Sequence, residues 1–120
     1  MPSPFFETVA SAVESAIHDA ETELPADVVS VLQTAYANET SSVARGEYEN
    51  IFANLKIAKE RDVPICQDTG MAVIFIEIGQ EVHFEGGLLE DAIHEGVRRG
   101  YVEGYLRKSV VKDPIIRENT

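Results

Sequence analysis

The chain has 120 residues, of which 44% are hydrophobic and 26% are charged, and this composition is typical of one globular domain rather than a disordered chain. Its formal net charge of -11 opposes binding to nucleic acid or anionic lipid, because both depend on cationic surfaces. The single cysteine, the lack of a bilayer-length apolar run and the lack of a signal-peptide pattern together predict a cytoplasmic protein without a membrane partner.

Two amphipathic helices are predicted at the amino end. Ser3 and Pro4 form a suitable cap and first-turn pair, and apolar residues then recur every three or four positions. Pro25 opens a second helix with another apolar stripe, and this helix is expected to end near Asn38.

A third helix is predicted after a serine cap at Ser41 or Ser42. Apolar and charged residues alternate along it at helical spacing. It must end near Asp62, because Pro64 disfavours helical geometry in the residue before it.

The residues after this helix predict a small sheet. Met71 to Ile78 is almost entirely apolar and rich in β-branched side chains, which is typical of a buried strand. Gly79 and Gln80 lead to a shorter segment, 81–84, so an antiparallel β-hairpin is expected. The predicted fold class is therefore α+β, with several helices packed around a small sheet that contains this hairpin.

A long fourth helix is predicted from Leu88 to Arg107. Gly96, Gly100 and Gly104 lie four residues apart on one face of it, and each interior glycine costs about 1 kcal/mol relative to alanine. We expect another part of the chain to pack closely against that face, as an ordinary tight helix contact.

The segment Pro64-Ile65-Cys66-Gln67-Asp68-Thr69-Gly70 carries the candidate chemistry. A lone cysteine is more often a packing residue than a reactive one. Here, however, an amide, a carboxylate and a hydroxyl follow Cys66 between a proline and a glycine, where a core gains little from polar groups. The alternative is a capped turn in which Asp68 or Thr69 binds local backbone.

This segment resembles the cluster-ligand signature of class I, iron-sulfur-dependent fumarate hydratases, which the related tartrate dehydratases share. Similar features continue in family order to Glu118-Asn119-Thr120, so the resemblance covers essentially the whole chain. It implies reversible hydration of fumarate to L-malate, a reaction of the tricarboxylic acid cycle, with a four-iron four-sulfur cluster as Lewis acid. It also implies that residues 1–120 are the amino-terminal part of the α-subunit catalytic domain, truncated after Thr120.

The resemblance assigns roles to four residues. Cys66 is the matching ligand of the cluster, Gln67 contacts a substrate carboxylate, and Asp68 both contacts substrate and takes part in the hydration. Arg107 grips the small dicarboxylate substrate. The other cluster cysteines and the catalytic base lie outside this sequence, in the remainder of the α subunit and in a β subunit or carboxyl-terminal domain of an oligomer. The chain alone is therefore expected to be inactive.

Three alternatives remain open at this point. A tartrate dehydratase α subunit differs only in the substrate it accepts. A non-catalytic assembly module would use the glycine-striped helix and the apolar strand only to bind a partner. A redox-sensing thiol protein would need Cys66 to be exposed with a depressed pKa, and no lysine or histidine beside it in sequence favours that.

Overall fold

A computed structural model describes residues 3–66 and 70–118 of the chain. It contains four helices, α1 (Pro4–Thr22), α2 (Ala26–Asn38), α3 (Ser42–Arg61) and α4 (Leu89–Glu103). None of the four is both long enough and apolar enough to cross a membrane. The chain divides into two compact units, one formed by residues 1–18 with 68–120 and the other by residues 19–67.

The starts of the first two helices agree with the sequence prediction. Helix α1 begins at Pro4, and the Ser3 hydroxyl accepts a hydrogen bond from the Phe6 N–H at 3.1 Å. This side chain satisfies one of the N–H groups that have no partner within a helix. Helix α2 follows Pro25 and ends at Asn38, as predicted.

Helix α3 also begins and ends where the sequence indicates. The Ser41 hydroxyl caps it by accepting a hydrogen bond from the Ala44 N–H at 3.4 Å. Its last residue is Arg61, and Asp62 takes a left-handed conformation with φ of 54°. This conformation ends the helix and redirects the backbone just before Pro64.

An aromatic cluster holds α2 against α3. The Tyr36 ring lies 6.1 Å from the Tyr48 ring and 5.8 Å from the Phe52 ring, measured between centroids. The Tyr36 hydroxyl donates to Glu49 Oε1 at 2.8 Å, and the Arg45 guanidinium lies 4.3 Å above the Tyr36 ring. Edge-to-face rings and a cation over a ring are both stabilising geometries, so α2 and α3 form a helical hairpin.

Two of the three glycines in the predicted stripe, Gly96 and Gly100, pack closely against α1, whereas a Cβ atom at Gly104 would meet Gly100 and Leu106. A Cβ atom at Gly96 would lie 2.5 Å from the Ala10 carbonyl oxygen and 2.6 Å from Val13 Cβ. A Cβ atom at Gly100 would lie 3.0 Å from Ile17 Cγ2. The missing side chains therefore allow the two helices to approach closely, which explains why α4 tolerates residues of low helix propensity.

An ion-pair cluster joins the same two helices. Arg99 Nη2 on α4 lies 3.0 Å from Glu7 Oε2 on α1, and Arg99 Nε lies 2.8 Å from Glu95 Oε1. Arg98 also donates two hydrogen bonds of 2.7 Å to Glu95. Hydrogen bonds from Arg98, and then from Arg99, lower the pKa of Glu95 to about 2.

The predicted α+β fold is wrong, because the described residues form helices but no strand and no sheet. Met71 to Ile78 forms no regular element, but the turn after it exists, with the Val82 N–H donating to the Gly79 carbonyl at 3.0 Å. The segments on either side of that turn do not pair within the described residues. β-Branched composition favours extended backbone, but a strand also needs a neighbour to complete its hydrogen bonds.

The predicted end of α4 is also wrong. The helix was expected to reach Arg107, but it ends at Glu103. Gly104 is its C-cap, with its N–H donating to the Gly100 carbonyl at 3.0 Å, and Tyr105 takes a left-handed conformation with φ of 57°. A glycine followed by a left-handed residue is a common helix terminator, whereas apolar periodicity alone does not define an end.

Candidate functional site

The residues that lead into the candidate motif are held to the helices around them. After Asp62, the Val63 N–H donates to the Ala58 carbonyl of α3 at 3.1 Å. The Ile65 N–H donates at 2.8 Å to the carbonyl of Glu21 at the end of α1. The Ile65 side chain is only 6% exposed and is the largest apolar group in the small set of buried residues of its unit. We call residues 62–66 the anchored loop.

Cys66 ends the anchored loop with a fixed backbone and an exposed side chain. Its N–H donates to Asn54 Oδ1 on α3 at 2.9 Å, which holds the cysteine backbone against that helix. Its thiol is free and exposed. A backbone held in this way limits where the sulfur can move, while the exposure leaves it accessible to a ligand from outside the chain.

Two of the predicted site residues, Gln67 and Asp68, lie outside the described residues, as does Thr69, so their roles stay predictions. The description resumes at Gly70, which takes a left-handed conformation with φ of 49°, as glycine does readily. The Gly70 carbonyl accepts a hydrogen bond of 3.4 Å from the hydroxyl of Tyr101 on α4. This weak bond connects the end of the motif to the helix within one unit.

Arg107 lies just beyond the end of α4. Leu106 beside it is buried, at 8% exposure, while Arg107 itself is exposed. An exposed guanidinium on a backbone that the buried Leu106 anchors suits binding of a carboxylate. Cys66 and Arg107 belong to different units, and the role of Arg107 stays a prediction.

The donor groups suit one ligand of a metal cluster and not a whole ligand set. Among residues 3–66 and 70–118, no three His, Cys, Asp or Glu side chains lie together in a way that would hold a metal ion. Cys66 is the single cysteine of the sequence. A four-iron cluster takes its protein ligands mainly from several thiolates, so Cys66 fits as one of them.

Sequence reasoning missed the groups that position this cysteine. Asn54 lies twelve residues earlier, within α3, and polar residues on an exposed helix carry no signal of a distant hydrogen bond. Ile65 was part of the motif, but nothing in the pattern showed that it would be buried while Cys66 stays exposed. The contact of Tyr101 with Gly70 likewise had no local signal.

The described residues thus bring four helices and one exposed thiol, that of Cys66, to the candidate site. The chain belongs to the fumarate hydratase (Fumerase) family, whose sequence model matches residues 10–120. The family resemblance drawn from the motif is thereby confirmed.

Curated relatives carry the name of a related enzyme. The chain is 36% identical over 112 residues to a Methanocaldococcus jannaschii protein provisionally named L(+)-tartrate dehydratase subunit alpha, a match that covers 92% of this chain and 39% of the relative. It is 32% identical over 91 residues to the L(+)-tartrate dehydratase subunit alpha of Escherichia coli K12, covering 76% of this chain and 30% of that protein. The chain thus spans about two fifths or less of the length of these relatives.

Proposed function

We propose that this chain forms part of the α subunit of a cytoplasmic hydro-lyase that converts fumarate and L-malate reversibly, with a four-iron four-sulfur cluster. The observation that carries the proposal is the exposed thiol of Cys66 on the anchored loop, inside the region that matches the family. A structural cysteine is normally buried, whereas a cluster ligand must reach iron supplied from outside its own loop.

The residues of the proposed site hold the cluster, bind the substrate and act on the water. The Cys66 sulfur holds the cluster, which when bound supplies a Lewis acid for a substrate oxygen. The Gln67 side-chain amide donates to one substrate carboxylate, and the Arg107 guanidinium pairs with a carboxylate in a two-point geometry. The Asp68 carboxylate exchanges a proton with the water that is added or removed. The remaining cluster ligands and the base that acts on carbon come from the rest of the α subunit and from a β subunit.

Dehydration of L-tartrate is the second candidate. The names of the relatives from Methanocaldococcus jannaschii and Escherichia coli favour it. Tartrate differs from malate by one added hydroxyl, and a site rejects such a difference strongly only where a buried polar group is left without a partner. Residues that form hydrogen bonds with this hydroxyl would therefore determine whether malate or tartrate is the substrate.

The test uses the native complex captured through this chain under anaerobic conditions. We expect Cys66→Ser to abolish hydration of fumarate and to lower the iron content of the complex. The matched control is Val43→Thr, a change of similar size at a side chain on α3 that is 76% exposed. This variant should leave the hydration activity and the iron content of the complex unchanged. Full activity in the Cys66→Ser complex would overturn the cluster-ligand assignment, and an intact complex that never contains iron would favour an assembly module.

A comparison of substrates separates the two candidate reactions. The same complex is given L-malate and L-tartrate separately, and the rate of dehydration is followed for each. A faster reaction with malate supports the proposal. A faster reaction with tartrate supports the second candidate and leaves the role of Cys66 unchanged.

A further inference from the structure

The segment Met71–Ile78, which we call the extended segment, exposes an unusual amount of apolar surface. All eight of its residues are exposed. Six of them are large hydrophobic residues, and Glu77 is the only charged residue. A continuous apolar surface of this kind marks a site of interaction, whereas single exposed hydrophobic residues are ordinary.

The side chains of the extended segment follow the period of a strand, but its backbone lacks the partners of one. Its side chains alternate in exposure, with Val73 at 72% and Phe75 at 94% against Ile74 at 39% and Ile76 at 47%. This period of two is that of a β-strand. From residue 71 to residue 78, no backbone group forms a hydrogen bond with any residue in the ranges 3–66 and 70–118.

The surroundings of the extended segment define what would cover it. Both of its faces are apolar, which is typical of a strand that is buried on both sides. It borders a cleft of about 950 Å³, lined on the α4 side by apolar residues that include Ile93 and Val97. The described residues bury few hydrophobic side chains, namely Ala10, Ala58, Ile65, Ala92 and Leu106. The missing part is therefore an apolar polypeptide segment that also brings free backbone N–H and C=O groups.

We propose that the extended segment is the edge of a β-sheet completed by a strand from the part of the α subunit that the relatives have outside the matched region. The match covers 39% of one relative and 30% of another, so most of the α-subunit polypeptide lies outside it. A second copy of this chain is the less suitable occupant, because each copy carries a net charge of -11. The proposal rests on family membership and is independent of the cluster and of the substrate.

Hydrogen–deuterium exchange tests the proposal without any activity assay. The 120-residue chain is compared with a single polypeptide that joins it to the part of the Methanocaldococcus jannaschii relative outside the match. Backbone amides in 72–78 should exchange rapidly in the chain alone and at least about tenfold more slowly in the joined polypeptide. Equally rapid exchange in both, while α3 stays protected, would overturn the proposal. Protection in the chain alone, with the mass of a dimer, would assign the surface to a second copy and also overturn it.

A matched pair of substitutions shows whether the strand surface itself is responsible. Val73 in the extended segment is 72% exposed, and Val43 on α3 is 76% exposed. Val73→Lys should remove the slowing of exchange in the joined polypeptide, whereas Val43→Lys should keep it. In the chain alone, both variants should have the same urea midpoint as the parent, because both side chains are exposed there. Retained protection with Val73→Lys would show that another surface makes the contact.

Discussion

The two stretches that flank residues 67–69 differ sharply in how their backbones are satisfied. In the anchored loop, the N–H groups of Val63, Ile65 and Cys66 donate to α3 or to the end of α1. In the extended segment, no backbone group of residues 71–78 has a partner within the described part of the chain. The backbone of the first stretch is satisfied by contacts with described helices, whereas that of the second finds no partner among the described residues.

The conformation of the anchored loop is fixed by contacts within the chain, whereas that of the extended segment is favoured only by its composition. The anchored loop is defined by a proline, a left-handed Asp62 and acceptors on helices that the chain itself contains. The extended segment has only the composition of a strand, and composition does not provide the hydrogen bonds of a sheet. Residues that stabilise the first stretch should therefore matter in the isolated chain, while residues of the second should matter only in a larger assembly.

The largest contrast is expected between two apolar side chains. Ile65→Ala should lower the free energy of unfolding by about 2–4 kcal/mol, because Ile65 is only 6% exposed and its removal leaves a cavity. Phe75→Ala removes a larger side chain. It should nevertheless change the free energy of unfolding by less than about 0.5 kcal/mol, because Phe75 is 94% exposed. Urea unfolding of the isolated chain measures both. A larger loss with Phe75→Ala would show that the extended segment is already packed.

A second contrast uses two helical glycines. Gly96→Ala should destabilise the chain by about 1–2 kcal/mol, because the new Cβ would lie 2.5 Å from the Ala10 carbonyl oxygen. Gly46→Ala should stabilise it by up to about 1 kcal/mol, because Gly46 has no atom within 4 Å of the added Cβ and alanine favours α3. Thermal unfolding gives the sign of each change. Equal effects at the two positions would contradict close packing of α4 on α1.

A smaller effect is expected from the side chain that holds Cys66. Asn54→Ala removes the acceptor of the Cys66 N–H and should cost about 1 kcal/mol, with faster exchange of that amide. Asn50→Ala is the matched control, since Asn50 lies one turn earlier on α3 and is exposed. Hydrogen exchange at Cys66 separates the two variants. The same exchange rate in both would mean that the anchored loop is held without Asn54.

The smallest effect concerns acid. The Arg98 and Arg99 guanidinium groups lower the pKa of Glu95 to about 2, below its ordinary value of 4.5. The charged carboxylate therefore stabilises the fold above about pH 4.5, and this stabilisation is lost as the pH falls through about 2. Glu95→Gln should lower the urea midpoint at pH 6 and have almost no effect at pH 2. As a control, Glu47→Gln on α3 should show a smaller difference at pH 6. A deficit for Glu95→Gln that does not shrink with falling pH would exclude the ion pairs as its cause.

The helices were predictable because their signals are local. A serine before α1 and another before α3 each cap the helix that follows, and Asn38 marks the end of α2. The end of α4 was predicted four residues too late, because the termination at Gly104 depends on a left-handed Tyr105 that the apolar period does not reveal. The hairpin was predicted from apolar, β-branched composition and from the turn at Gly79-Gln80, and neither of its strands forms among the described residues.

The candidate site shows the same division. The position of Cys66 just after the end of α3 followed from Pro64, which predicted that end. The hydrogen bond to Asn54 and the burial of Ile65 did not follow, because each depends on contacts made across the fold. The local sequence pattern therefore identified Cys66 as the candidate residue, whereas tertiary contacts determine its backbone position and its exposure.

The aromatic contact between α2 and α3 also bears on the order in which the chain folds. Tyr36 and Phe52 are separated by only sixteen positions, and every contact of their cluster is as local. Structures with short sequence separation form quickly, because little chain entropy is lost in closing them. The helical hairpin is therefore suited to be an early nucleus of folding, whereas the pairing proposed for residues 71–78 would join segments much farther apart in the α-subunit polypeptide. Until such a pairing forms, the exposed apolar side chains of residues 71–78 favour aggregation and binding by a chaperone.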